Sequence, residues 1–178
     1  RAWDQSSGTN GGTADTTTSG GTTPYSTATD TASLTVTAVN DAPVLDTTKS
    51  PVLTGENEDS AAPVGAVGTL VSSLVDFAVP AGQVDNVTDV DSGAVLGIAI
   101  TGADATNGTW FYSINNGTSW TALGTPTTST VRLLAADANS RLYFQPSANF
   151  NGTLATAITF RAWDQSSGTN GGTADTTT

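Results

Sequence analysis

The chain has 178 residues and a net charge of −11, from 16 acidic and 5 basic side chains, and it contains no Cys, His or Met. Those absences exclude a tetrahedral zinc site, a disulfide framework, thiol or imidazole catalysis and any triad built on histidine. So acidic a surface also repels phosphate backbones, which makes nucleic acid a poor partner, and no membrane span or signal peptide is visible.

Four Trp, three Tyr and five Phe can fill a core, and 34 Thr with 19 Gly favour strands and turns over helices. The expected class is all-β. Carboxylates at this density resist compaction by self-repulsion, so counter-ions held at defined places are expected, calcium first among them.

The first element in chain order is a repeat. Residues 1 to 18, RAWDQSSGTNGGTADTTT, recur letter for letter at 161 to 178, a period of 160 residues. An unchanged copy implies a recently duplicated or homogenised tandem array. Asp4 to Asp30 is a Gly/Thr/Ser stretch too polar to pack, read as a long loop or a small β-extension, with Tyr25 its best surface aromatic. A strand is expected over Thr31 to Val39 (TASLTVTAV), followed by the joint Asn40-Asp41-Ala42-Pro43, which proline rigidifies.

The joint divides the chain into 1–39, the C-terminal portion of one repeat; 40–44, an inter-repeat linker; and 45–178, most of the following repeat. A unit that starts at Leu45 runs to about residue 204 at this period, so its last strand, equivalent to Thr31 to Val39, sits at the wrong end of the chain. That strand can refold onto its own chain, be donated to a neighbour, or protrude. A ten-residue strand spans roughly 33 Å, which residues 40 to 51 match only when fully extended. Completion by a neighbour, or a window cut from a continuous filament, is preferred.

Within the unit, strands are expected near Val52 and over Leu96 to Thr101, Trp110 to Ile114, Ser119 to Leu123, Thr130 to Ala135, Arg141 to Gln145 and Leu154 to Asp164. Leu70, Val71, Leu74 and Val75 have the spacing of one helical turn. Asn116-Gly117 predicts a tight hairpin, because both residues accept positive φ. Trp110, Trp120 and Trp163 are expected to fill the core.

Hard cations need oxygen ligands, supplied by Asp pairs at i, i+2, by Asn side chains and by carbonyls. Five places offer them: Asn40-Asp41, Glu56 with Glu58 in GENED, Asp89 with Asp91 in TDVDSG, Asp164 in RAWD, and its copy Asp4. Each alone is what a solvated surface also shows; their order along the chain is what singles them out.

VNDAPVL (39 to 45), GENED (55 to 59), TDVDSG (88 to 93), NGTWFYSINNG (107 to 117), FQPSANFNG (144 to 152) and ITFRAWD (158 to 164) together resemble the cadherin-like, immunoglobulin-type repeats of giant secreted bacterial surface adhesins of the RTX type. The resemblance implies an antiparallel Greek-key β-sandwich with one long Gly/Thr-rich loop. It also implies that Asn40, Asp41, Asp89, Asp91 and Asp164 share one inter-repeat calcium site, while Glu56 and Glu58 serve the next joint from the opposite end. Ala38 stands where the eukaryotic pattern has an Asp, the second linker Asn is missing, and no acidic element precedes FQPSANFNG beyond the ill-fitting Asp137. Fewer ions per joint than in eukaryotic cadherins are therefore expected.

The leading expectation is a structural extender of a secreted, surface-anchored adhesin, stiffened by calcium, with neighbouring copies of itself as partners in tandem or head to tail. The second is a module that binds cell-surface glycans through the Asp4 to Asp30 loop. An enzyme is not expected: a two-carboxylate glycosidase is the only acid-base chemistry left, and nothing suggests a cleft with one carboxyl kept protonated.

Overall fold

Apolar residues at every second position produce a β-rich chain, which the computed structural model describes over residues 1–177. Its strands are β1 (Val44–Leu45), β2 (Thr69–Leu70), β3 (Val87–Thr88), β4 (Gly97–Ala103), β5 (Gly108–Ser113), β6 (Thr121–Ala122), β7 (Val131–Ala135), β8 (Arg141–Pro146), β9 (Ile158–Trp163) and β10 (Thr173–Ala174). Val71–Ser73 forms a single 3-10 turn where helical spacing was read. The chain divides into two units, Arg1–Val39 and Asn40–Thr178.

The second unit is an antiparallel β-sandwich. One sheet has the order β10-β7-β4-β9, the other β2-β8-β5-β6, and β1 pairs with β3 in a separate two-stranded ribbon. Between the sheets lie Ile98 and Ile100 of β4, Leu134 of β7, Leu142 of β8 and Trp110 of β5, joined by Val71, Leu74 and Val75 from the 3-10 turn and its continuation. Burying one such side chain contributes about 1.5–3 kcal/mol. Trp110 also donates its indole N–H to the Asp104 carbonyl at 2.8 Å and packs on Phe144 with ring centroids 4.9 Å apart.

The segment after β9 covers the outer face of the first sheet. Ala99, Val131, Leu133 and Trp163 form a second apolar cluster there. Gly168 lies against Leu133 and Trp163 on that face, and the same segment extends the sheet at its β7 edge through main-chain bonds: Leu133 N–H donates to the Gly172 carbonyl at 3.0 Å, and Gly171 N–H to the Leu133 carbonyl at 2.8 Å. Polar composition therefore did not prevent packing, because glycines let the main chain itself approach the sheet.

In the first unit, Trp3 and Tyr25 form an antiparallel bridge, and Asp4 N–H donates to the Pro24 carbonyl at 3.1 Å. Tyr25 is half-buried rather than exposed, a correction to the sequence reading. The repeated segment takes the same local form in both units. The Trp3 and Trp163 indoles each donate to the carbonyl four residues on, Ser7 and Ser167, at 2.8 Å. Asp4 and Asp164 each accept from the N–H two residues on, at 2.8 and 2.9 Å.

Five expectations need correction. Thr31 to Val39 forms no strand and is exposed throughout, although its alternation is the cleanest in the chain; a strand requires a partner for its N–H and C=O groups. The segment around Val52 is also not a strand, and Leu154 to Ala157 precedes β9 rather than belonging to it. Only Thr121 and Ala122 of the expected Ser119 to Leu123 strand pair with β5. Asn116 and Gly117 do take positive φ, 53° and 82°, but pairing resumes only at Tyr112 and Thr121, so the connection is a longer loop than a two-residue hairpin. Ser113 Oγ accepts from Gly117 N–H at 2.9 Å, and Asn115 Oδ1 accepts from Ser119 N–H at 2.9 Å, which fixes that loop.

Candidate cation site at the strand ends

Three chain segments meet at one end of the second unit: the residues before β1, those after β3 and those after β9. Asn40 Nδ2 donates to Asp164 Oδ2 at 2.8 Å, and Asp41 N–H donates to Asp91 Oδ2 at 2.8 Å. Asp91 N–H in turn donates to Asp89 Oδ1 at 2.9 Å. Residues separated by as many as 124 positions are thereby drawn together. The β1 to β3 pairing explains this, since the register Val44↔Thr88 sets Asp41 and Asp89 just beyond the same end of the ribbon.

The second oxygen of Asp89 is buried and has no hydrogen-bond partner. An unpaired carboxylate oxygen out of contact with water is costly, on the order of 1–3 kcal/mol or more. A cation would satisfy it, as would a hydrogen-bond donor. The donor set fits in chemistry, because Asn40, Asp41, Asp89, Asp91 and Asp164 all offer hard oxygen ligands. Among the described residues, however, no three acidic side chains converge closely enough to hold an ion. Instead, backbone and amide N–H groups occupy several of these oxygens.

Two opposing effects act on Asp164. Partial burial raises its pKa, while hydrogen bonds from Asn40 and from the Ser166 backbone and hydroxyl lower it, and the net value falls below the ordinary aspartate range. A carboxyl depressed in the folded state stabilises above its unfolded pKa, near 3.9, and that contribution is lost as pH falls through the folded value. Metal-free thermal melts between pH 6 and pH 2 should therefore show a smaller acid-induced loss for Asp164→Asn than for the parent. Equal slopes would sever Asp164 from this network.

Glu56, Glu58 and Asp59 occupy the opposite end, beside the loop that leads from β8 into β9. Asn151 Nδ2 donates to Glu58 Oε2 at 3.2 Å, and Asn149 N–H donates to Asp59 Oδ1 at 2.9 Å. Burial pushes the Glu56 carboxyl up. Asp59 was missed by the sequence reading; its place in GENED beside Glu58 was the available signal. Asp4 lies in the first unit, exposed, and is held by Ser6.

The aromatics bear on the glycan reading. Trp110 and Trp163 are buried, and Trp120 is half-buried, donating to the Gly65 carbonyl at 3.1 Å and meeting Tyr143 edge-on. All three are committed to packing. A groove of about 990 Å³ also opens beside β9, with Leu53, Glu56, Trp110, Phe144, Ile158 and Phe160 among its lining. No known protein family, curated protein or solved structure matches the chain.

Proposed function

We propose that the chain is a structural extender repeat of a large extracellular adhesin of bacterial type, stiffened by calcium at the joints between copies. The observation that carries the cation is the buried, unpartnered Asp89 oxygen at the end where Asn40, Asp41, Asp91 and Asp164 meet. The letter-for-letter recurrence at 160 residues supports a tandem array. Glu58 and Asp59 at the far end supply the acidic face that the next joint would use.

Empty, such a joint holds mutually repelling carboxylates and leaves the linker free. A bound divalent ion would exchange repulsion for coordination and select one orientation of neighbouring units. This chain's own part is to hold the ligand-bearing segments in register: β1 on β3 sets Asp41 near Asp91, and β9 carries Asp164 to Asn40.

Melting in calcium, magnesium and chelator tests the reading. Calcium at a hundredfold excess over its Kd should stabilise the parent by about 2.7 kcal/mol. Asp89→Ala and Asp164→Ala should abolish that gain, and magnesium should reproduce little of it. Identical melting of the parent in calcium and chelator would refute the calcium joint.

A further inference from the structure

Asparagine followed by glycine is a chemically fragile pair, because the glycine main-chain nitrogen can attack the preceding side-chain amide with no Cβ to crowd its approach. Such pairs begin at Asn10, Asn107, Asn116, Asn151 and Asn170. Attack needs a side chain free to swing and a glycine N–H that is not already donated. The fold therefore decides which pairs react.

Most pairs of the second unit are held. Asn170 Oδ1 accepts from Ala135 N–H at 3.0 Å, its Nδ2 donates to Ser140 Oγ at 3.0 Å, and Gly171 N–H donates to the Leu133 carbonyl at 2.8 Å. Asn116 Oδ1 accepts from Arg141 Nε at 2.7 Å, while Gly117 N–H donates to Ser113 Oγ at 2.9 Å. Gly108 belongs to β5, crowded by the Phe144 ring and the Gln145 carbonyl, and its N–H donates to the Ala105 carbonyl at 3.4 Å. Asn151 differs. It and Gly152 are exposed, and among the described residues the Gly152 N–H donates to no acceptor. The Phe150 ring stands 3.8 Å from where a Cβ of residue 152 would lie, so the nitrogen has room. The Asn151 side chain makes a single surface hydrogen bond among the described residues, from Nδ2 to Glu58 Oε2 at 3.2 Å. All of these contacts lie inside the second unit.

We propose that Asn151-Gly152 is a site of spontaneous deamidation, whose product turns the hydrogen bond between Asn151 and Glu58 into a repulsion. The Gly152 nitrogen loses its proton to water and bonds to the Asn151 side-chain carbon. The Nδ2 group leaves as ammonia, taking a proton back from water, and a cyclic succinimide remains. Water then opens one of its two carbonyl–nitrogen bonds and gives aspartate or isoaspartate, with nothing oxidised or reduced. The new carboxylate faces Glu58, which has lost its donor, and Asp59 is fixed to the same loop by Asn149 N–H at 2.9 Å. Like charges so placed loosen the loop, and dissolved salt screens the effect. Under the extender reading this end meets the next joint, so the charge presented there grows with the age of the copy; the reaction itself does not rest on that reading.

The test holds the full chain in mildly alkaline buffer with chelator and counts aspartate and isoaspartate at each pair by peptide mapping. Each hydrogen bond that must open first slows the attack about fivefold. Asn151 should therefore convert at least about thirtyfold faster than Asn116 or Asn170, and in urea the difference should vanish. Asn10 supplies the internal reference, since its neighbours copy those of Asn170 letter for letter, yet it is exposed and the Gly11 N–H donates to no acceptor among the described residues. It should keep pace with Asn151. Asn151→Asp should melt below the parent at low salt, a deficit that added salt or a second substitution, Glu58→Gln, removes. Conversion at Asn151 as slow as at Asn170, or a difference that persists in urea, would overturn the site. An Asn151→Asp chain that melts like the parent at low salt would overturn its consequence. Chelator keeps the calcium joint out of the comparison: fast conversion at Asn151 in a chain whose Tm ignores calcium removes the extender reading alone.

Discussion

Replacing Trp110 with Ala should cost the second unit about 3–5 kcal/mol, the loss seen when a large aromatic leaves a packed core without full collapse around the void. Trp110 is 5% exposed, sits between the two sheets, packs against Phe144 at a tilt of 45° and ties β5 to the Asp104 turn through its indole N–H. Against a typical total of about 5–15 kcal/mol, that loss leaves little margin. Trp110→Phe keeps most of the apolar volume and should lose less, mainly a hydrogen bond of about 1 kcal/mol and the indole's second ring. Urea titration followed by circular dichroism distinguishes them: a Trp110→Ala midpoint within error of the parent would mean that the sheets are not held together there.

Gly117→Val should be comparably severe, on the order of 3–5 kcal/mol, for a different reason. Gly117 has φ 82°, and a Cβ there would collide with the Gly65 carbonyl and the Ala66 nitrogen, both main-chain atoms that cannot swing aside. Gly124 offers the matched control. It has φ 74° but open space around its Cβ position, so Gly124→Ala carries only the backbone strain, about 1–2 kcal/mol. If both variants melted alike, the close approach of residues 65 and 117 would be excluded as a stabilising contact.

Much of the fold was legible because β4, β5, β7, β8 and β9 carry their own alternation: Ile98 with Ile100, Trp110 with Tyr112, Leu142 with Phe144. The two-residue strands β1, β2, β3, β6 and β10 were mostly missed. Nothing in Thr69-Leu70 or Thr173-Ala174 selects an extended partner; the longer strands beside them do. Thr31 to Val39 failed in the opposite sense, with ideal alternation and no strand, because pairing is a property of two segments. At the candidate site, the sequence grouped Asn40, Asp41, Asp89, Asp91 and Asp164 only by resemblance; the fold links Asn40 to Asp164, Asp41 to Asp91 and Asp91 to Asp89 by hydrogen bonds, but among the described residues brings no three acidic side chains close enough to hold an ion. The orphaned oxygen of Asp89 was invisible in the sequence, since burial of a single atom depends on how the neighbouring turns close over it.

Residues 1 to 17 and 161 to 177 hold the same turns although one copy is stitched into a sheet and the other is not. A genetic exchange between two such copies would join like to like, at a place whose shape is dictated locally. The tandem array proposed above could then change length by whole periods, shorter or longer, without any single module having to learn a new way to fold.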